Sequence, residues 1–580
     1  MATNSGGADR VTTVSPDSTI DFTVRRMAEK HGAGKVYGIA VVVDDDARVL
    51  GILTDGDVRR AYAKDIDFSL PVSEIMVTDP VVLPRDEEPR NILGHLTRQI
   101  ASKSRLTTNM VGHVVVVDDA GRLEDVIDVV DLLARSGTMS DNVAVYGLGF
   151  IGLPLAVTLS NVGHRVYGVD ISARVRADIA AGSLGFHEPG LEDMLSIVVE
   201  NGMLTIHERI TEPNCNVHIV AVGTPVSADG VIDERGVIGA AEHIAEVLKR
   251  GDLVQLRSTV PVGCTRQRFI RLLEQRSRLT AGVDFFVAFA PERTVEGEAL
   301  KELRSLPQIV GGLSARCLEK AATFWSTVTN TIVRVDSLEA AEMVKLANNT
   351  FRDLSFAFAN ELAVLCDKHN LDAFAVVEAA NEGYPRDRIP KPSPGVGGYC
   401  LTKDPLIYDR SIGDGETQRT LGYHGRAANE RAAAYPRKVI EHWSASRESP
   451  LTELSVLCIG VAFKGYPETN DIRNSTALSF ALWAAGAVLS LRVWDAVVSG
   501  EALVPHGLEF AEDIRAALAQ ADAIMLLNNH PAHKIIGVPR VLNEHRKPRL
   551  VFDGWHQLDR TELERIPGMT YATMGYSTRR

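Results

Sequence analysis

Cys400 lies in PSPGVGGYCLTKDP, residues 392–405, with Lys403 and Asp404 close behind it. Three glycines and three prolines leave little scope for helix or strand, so the stretch is expected to be a shaped loop. A thiol beside a cation in such a loop is more ionised and more reactive than one in an apolar run. That chemistry is a covalent nucleophile, with a structural thiol as the alternative. The other five cysteines, at 215, 264, 317, 366 and 458, are expected to be packing residues. None forms a CxxC pair, so neither a metal site nor a disulfide framework is indicated. Lys345 and Asn349, in EMVKLANNTF, are spaced i, i+4. Both therefore project from one helical face, with surface or capping positions as the alternative. Thr224 in VAVGTPV, Thr259 in LRSTVPVG and Glu292 in FVAFAPERTVEG each follow an apolar run that reads as a strand.

These groups have to be positioned by something. From Asn142 onward apolar strands alternate with helices, which implies a parallel sheet. Ligands of open α/β sheets bind at the carboxyl ends of strands, so Thr224, Thr259 and Glu292 are expected to face one crevice. VAVYGLGFIGLPLAVTLSNVGHRVYGVD, residues 143–170, runs strand, glycine turn, helix, second strand. Gly147, Gly149 and Gly152 would allow a tight turn, close approach to a pyrophosphate and helix–strand packing. The helix N-terminus would hold the phosphates. Asp170, 18 residues past Gly152, can accept from a ribose hydroxyl and would repel a 2′-phosphate. The expected cofactor is NAD in preference to NADP, the alternative being a Rossmann domain that has lost its ligand. Residues 336–380 read as a long helix. SVLCIGVAF, LSLRVWDA, AIMLLN and LVFDG then announce a second α/β domain.

Composition is that of an ordinary globular protein: 45% apolar and 24% charged over 580 residues. The net charge of −13 argues against nucleic-acid or membrane binding, both of which need basic surface. MATNSGGADR has no apolar core that would mark a signal peptide, and no run approaches a membrane span. The expectation is a soluble, cytoplasmic protein.

The first 135 residues contain a repeat. GIAVVVDDDARVLGILTDGDVRRA starts at Gly38, and GHVVVVDDAGRLEDVIDVVDLLA starts 74 residues later at Gly112. Each copy reads as strand, acidic turn, strand, helix. The pair resembles a tandem CBS module over residues 11–135. Its G-x-x-[ST]-x-x-D signature stands here as Gly51, Thr54 and Asp57, and the resemblance implies an adenine nucleotide held by Thr54 and Asp57. The second copy has Asp125 and Asp128 at the glycine and threonine positions. A packing or dimerisation module without ligand is the alternative. SGTMSD, 136–141, reads as the linker.

GLGFIGLPLA, EPGLEDML, STVPVG, APER, EMVKLANNTFRDLSFAFANELA, PGVGGYCLTKDP and GVAFKG…NDIRNS occur in this order. With them the chain from about 142 to 575 resembles the UDP-glucose/GDP-mannose dehydrogenase family. The fold implied is α/β: an N-terminal CBS pair, then two Rossmann-like parallel-sheet domains joined by a long central helix. The divisions expected are 142–335 for NAD, 336–448 for a central dimerisation and catalytic region, and 450–575 for the UDP-sugar. The activity implied is NAD-dependent four-electron oxidation of a sugar C6 hydroxyl to the uronate through a Cys400 thiohemiacetal and thioester. By the same resemblance Lys345 and Asn349 stabilise the oxyanion, and Asp404 acts with Thr259 and a water in proton transfer. Glu292 serves thioester hydrolysis or the cofactor, while Thr224, Lys403 and Arg473 are placed with NAD. Lys464 and Gly397 are placed with the substrate, and a homodimer or higher oligomer is implied. FKGYPETNDIR is two residues longer than the usual stretch between Lys464 and Arg473, and Tyr399 stands where many members carry His or Ser. The loop motifs lean toward a UDP-N-acetylhexosamine over UDP-glucose. Two rivals remain: a one-step hydroxyacid-type dehydrogenase, which leaves Cys400 without a role, and an inactive nucleotide-sensing regulator.

Overall fold

The computed structural model describes residues 11–28, 38–62, 66–85, 113–128, 141–212, 214–227, 231–386, 388–413 and 418–577. The linker expected at 136–141 lies almost wholly outside them, as does the helix expected to close the second repeat.

Each repeat folds as a three-stranded sheet. The first holds β1 (Thr12–Val14), β2 (Ile39–Val43) and β3 (Val49–Thr54). The second holds β4 (Val82–Pro84), β5 (His113–Val117) and β6 (Leu123–Asp128). In both, a parallel pair is followed by an antiparallel hairpin. The hairpin register slips at Val42/Val43 in one copy and at Val116/Val117 in the other, 74 residues apart. The copies join about a local two-fold: Arg48 bridges Arg122, Val49 N donates to Gly121 O at 3.0 Å, and Leu123 N donates to Ala47 O at 2.9 Å. Ile39 and Val41 share one apolar cluster with Val115 and Val126, burying what neither copy could bury alone.

The next domain is an eight-stranded sheet. Its strands are β7 (Asn142–Tyr146), β8 (Arg165–Val169), β9 (Leu204–His207), β10 (Val217–Val220), β11 (Leu253–Leu256), β12 (Phe286–Phe289), β13 (Gln308–Gly312) and β14 (Ile332–Val335). The order is β14-β13-β12-β11-β10-β7-β8-β9, parallel except between β12 and β13. The strands are short, and those between the edges β9 and β14 are largely buried, as a sheet covered on both faces requires. The order reverses between β7 and β10, the switch point at which such sheets bind ligand.

The long helix is Leu338–Lys368, capped by Ser337, whose side chain accepts from Ala340 N. It is shorter than the sequence pattern implied. Asn370 takes a left-handed conformation (φ 56°), and Asp372 then caps a separate helix, Ala373–Asn381. A residue in that region ends a helix and a following Asp starts the next one, so the apolar spacing of 336–380 belongs to two helices. Helix Leu421–Ala433 packs along the long helix. The last domain repeats the switch-point order in β17-β16-β15-β18-β19-β20-β21. These are β15 (Ser455–Ile459), β16 (Ser490–Trp494), β17 (Glu509–Phe510), β18 (Ala523–Leu526), β19 (Arg549–Asp553), β20 (Met569–Thr573) and the antiparallel β21 (Tyr576–Ser577).

Candidate active site

β7 ends in the glycine turn. Gly147 has φ 91°, and its N–H donates to Val169 O at 2.8 Å. A Cβ on Gly152 would lie 1.7 Å from Gly147 O, so this glycine lets the helix Gly152–Asn161 meet the turn. A Cβ on Gly149 would meet nothing within 4 Å, which leaves open the place where a pyrophosphate can approach. Asp170 follows β8. Its Oδ2 accepts from Leu148 N at 2.9 Å and its Oδ1 from Ser172 N at 2.8 Å, so it ties the turn down as well as facing the cavity.

That cavity, about 640 Å³, is continuous from Asp170 and Gly149, past Thr224 and Thr259, to Lys345 and Cys400. A dinucleotide fits what is there: an open glycine turn, a helix N-terminus without a side-chain cap and a carboxylate able to accept from a ribose, all at one cavity.

Loop glycines in the thiol stretch are required by packing. A Cβ on Gly398 would stand 2.6 Å from the Phe463 ring, one on Gly395 2.7 Å from Ala433 Cβ, and one on Gly397 2.7 Å from Asn474 O. Gly397 thus meets the C-terminal domain's backbone and is not among the cavity-lining residues. Cys400 lies just ahead of the helix Asp404–Arg410. A chain of contacts then links the predicted residues. Asn349 Nδ2 donates to Asp404 Oδ2 at 2.5 Å, and Lys403 Nζ reaches Asp404 Oδ1 at 2.7 Å and Thr224 Oγ1 at 3.4 Å. Thr224 Oγ1 donates to Thr259 O at 2.7 Å. Long helix, thiol loop and strand ends are therefore joined through one buried ion pair.

The charge balance at the thiol differs from the sequence expectation. Burial pushes the Cys400 thiol up; Lys345 pulls it down, Asp404 pushes it up, Lys403 pulls down and Glu296 pushes up. The net direction is upward, so ionisation needs a further contribution from bound ligand or proton transfer. The five remaining cysteines are buried, and burial pushes the Cys215 and Cys264 thiols up to about 12.

Glu292 is anchored. Its Oε2 accepts from both Arg257 Nε, at 3.0 Å, and Nη2, and its Oε1 accepts from Arg293 N at 2.7 Å and Thr294 N at 2.6 Å. Burial works to raise this carboxyl, but Arg257, the Thr294 amide and Lys345 hold it below its ordinary range. Arg257 is itself seated on the Trp325 ring at 4.7 Å. From the C-terminal domain, Arg473 enters the cavity wall between Phe150 at 4.1 Å and Tyr399 at 4.8 Å, held by Asp471 at 2.7 Å. Lys464 does not itself line the cavity but donates to the backbone O of Glu296, which does, at 2.6 Å.

Sequence reasoning missed Glu296, Arg257 and Asp471. Glu296 lines the cavity, and burial first, then Asp471, push its carboxyl up to about 7. The available signal was its place in the same APERTVEG stretch as Glu292. In the N-terminal repeat, Asp57 Oδ2 accepts from Thr54 Oγ1 at 2.6 Å and Thr54 N at 2.9 Å. That is a capping box at the start of the helix Asp55–Tyr62.

Comparison with known proteins bears on this geometry directly. The UDP-glucose/GDP-mannose dehydrogenase family's NAD binding domain matches residues 141–329, its central domain 339–431 and its UDP binding domain 457–560. The chain belongs to this family. Residues 8–64 and 72–137 match the CBS domain. The chain is similar to the UDP-N-acetyl-D-mannosamine dehydrogenase of Pyrococcus horikoshii, with 33% identity over 413 residues, 71% of this chain and 94% of that one. It is also similar to the NDP-N-acetyl-D-galactosaminuronic acid dehydrogenase of Ralstonia solanacearum: 34% identity over 409 residues, 69% and 93% of the two chains. The solved UDP-D-ManNAc dehydrogenase of P. horikoshii superposes with a TM-score of 0.67 at 31% identity, over 75% of this chain and 99% of that one. As a family member the protein is an NAD-dependent nucleotide-sugar dehydrogenase with an N-terminal CBS pair. Among the described residues no helix is long and apolar enough to cross a membrane.

Proposed function

We propose that this dehydrogenase oxidises the C6 hydroxyl of a UDP-N-acetylhexosamine to the carboxylate in two steps, through a covalent adduct on Cys400. The observation that carries the proposal is one cavity lined both by the Gly149 turn and by Cys400 with Lys345. NAD, when bound, supplies the hydride acceptor, and two are consumed for each uronate. Gly147, Gly149, Asp170, Thr224, Lys403 and Arg473 would hold it. In the first step the alcohol loses its hydroxyl proton and a hydride to become an aldehyde. Lys345 and Asn349 hold the negative charge on that oxygen. An aldehyde gives up a second hydride readily only after a nucleophile adds to it. Cys400 Sγ adds to the carbonyl carbon, and the thiohemiacetal is oxidised to a thioester. Water cleaves the C–S bond, releasing the uronate and restoring the thiol. Asp404 with Thr259 moves the proton of that water, and Glu292 stays an anchored anion beside it. Lys464 would reach the substrate from behind Glu296, while Gly397, packed on Asn474 O outside the lining, would serve only to shape the loop.

The N-acetylhexosamine assignment draws on the relatives' names and on the PGVGG loop. Similarity to a UDP-glucose dehydrogenase of Pyrobaculum islandicum (TM-score 0.64, 26% identity, 76% of this chain and 99% of that one) keeps UDP-glucose as the second reading. A dimer is proposed on the long helix, where Phe351, Phe358 and Leu365 form a seven-residue-spaced stripe 70%, 58% and 48% exposed. Adenine-nucleotide binding at Thr54 and Asp57 and a cytoplasmic location belong to the same proposal. NADH yield per uronate, across a panel of UDP-sugars, tests it. Two per uronate is expected, and Cys400→Ser should stall after the first oxidation. Normal two-fold yield in Cys400→Ser would exclude the covalent route.

A further inference from the structure

The loop from 391 to 399 carries Cys400 at its end yet belongs to no helix or strand. Its backbone is held instead by two side chains, one from each of two helices, and two more hold those in place. Asn360 Oδ1, on the long helix, accepts from Ser393 N at 2.7 Å. Arg426, on the helix Leu421–Ala433, donates through Nη2 to Val396 O at 2.9 Å and through Nη1 to Leu401 O at 3.2 Å. The loop is therefore tethered at its entry, its middle and one residue beyond the thiol.

The four side chains hold one another. Asp353 Oδ1 accepts from Arg426 Nη1 at 2.8 Å and from Asn429 Nδ2 at 2.8 Å. Asn429 Nδ2 also donates to Asp353 O at 3.0 Å, and its Oδ1 accepts from Asn360 Nδ2 at 2.9 Å. Asp353, Asn429, Asn360 and Arg426 are 0%, 0%, 1% and 3% exposed. The seam is tight enough that a Cβ on Gly425 would stand 2.6 Å from Leu354 Cδ2. A buried ion pair of this kind is a weak stabiliser, because desolvation offsets most of its attraction. What it does supply is direction: a guanidinium fixed by Asp353 presents N–H groups to two carbonyls flanking the thiol. None of the four residues lines the cavity.

We propose that Asp353, Asn360, Arg426 and Asn429 are positioning residues that fix Cys400 Sγ for attack on the aldehyde. This rests on Cys400 being the nucleophile. The first oxidation does not need the thiol in place, whereas the second does. Displacing a reacting atom by about 1 Å costs on the order of 10²-fold in rate. Loosening the clamp should therefore slow the thiol-dependent half and let aldehyde escape.

The experiment uses the full chain with Arg426→Lys, which keeps the charge but cannot reach both carbonyls, and Asn360→Ala, which removes the entry tether. Three quantities are read: the pH profile of Cys400 alkylation by iodoacetamide without substrate, the ratio of semicarbazide-trapped aldehyde to uronate, and NAD affinity by calorimetry. The expected result is a shifted alkylation profile and a raised aldehyde share, with NAD affinity within twofold of the parent. Should Arg426→Lys fail to fold, Asn360→Ala decides by the same readouts. An unchanged alkylation profile and aldehyde share in a folded variant would overturn the clamp. Alkylation needs no turnover, so a failed covalent route, seen as normal uronate yield from Cys400→Ser, is distinguished from a failed clamp.

Discussion

Gly149→Ala and Gly152→Ala separate a glycine needed by the ligand from one needed by the fold. Gly149 has no positive φ, and an added methyl would find open space within 4 Å. Folding should then be unaffected, or favoured by about 0.4–1 kcal/mol through the stiffer unfolded chain. The methyl would instead occupy the path of the diphosphate. Losing one charge-assisted backbone bond to phosphate corresponds to about 1.5–3 kcal/mol, or roughly 10- to 150-fold in affinity at about 1.4 kcal/mol per decade. In Gly152→Ala the methyl would sit 1.7 Å from Gly147 O, so helix and turn must separate. That variant should lose both cofactor binding and thermal stability. Calorimetric titration with NAD and thermal unfolding of each full-length variant provide the assay. Parental NAD affinity in Gly149→Ala would mean that the cofactor does not cross this turn, and a large fall in its melting temperature would refute the open space.

Three further outcomes follow from particular side chains. Asp170→Asn keeps shape but leaves one oxygen for two backbone donors and no charge against a 2′-phosphate, so calorimetry should show weaker NAD binding and a narrower gap to NADP; equal use of both cofactors by the parent would exclude Asp170 as the discriminator. Burial, partly opposed by Glu296, lowers the Lys464 ammonium from 10.5 to about 8. Between those values the unfolded chain binds the proton that the folded chain has released, so stability rises with pH there, while affinity for UDP falls as pH climbs through 8; an equal fall in Lys464→Met would dismiss the assignment. At the N-terminal module a nucleotide must compete with the 2.6 Å Thr54–Asp57 bond, so Asp57→Ala should abolish AMP, ADP or ATP binding measured calorimetrically on the full chain, and undiminished binding would exclude this site.

What the sequence displayed was local, and what it concealed was pairing. Glycines and prolines crowded around a cysteine, polar residues closing apolar runs, and Lys345 and Asn349 one turn apart are all visible within a window of a few residues, because each answers to backbone geometry in its own element. The break at Asn370 was equally local, and the HNLD stretch carried its signal in an asparagine suited to the left-handed conformation and an aspartate suited to a cap. Arg257 with Glu292 and Arg426 with Asp353 are separated by 35 and 73 residues. No periodicity encodes such a pair; it arises when packing brings two elements together and desolvation demands that each charge find a partner. The thiol shows the consequence. A nearby lysine was enough to predict a depressed pKa, but the fold buries the site and adds Glu296 and Asp404 to the field, and their combined effect reverses the sign. Thr54 and Asp57 mark a different boundary: a hydroxyl and a carboxylate three residues apart suit a ribose phosphate and a helix start equally well. Donor and acceptor types alone therefore could not separate a nucleotide site from a capping box at this position; the 2.6 Å bond between them establishes the cap and leaves the nucleotide to be tested against it.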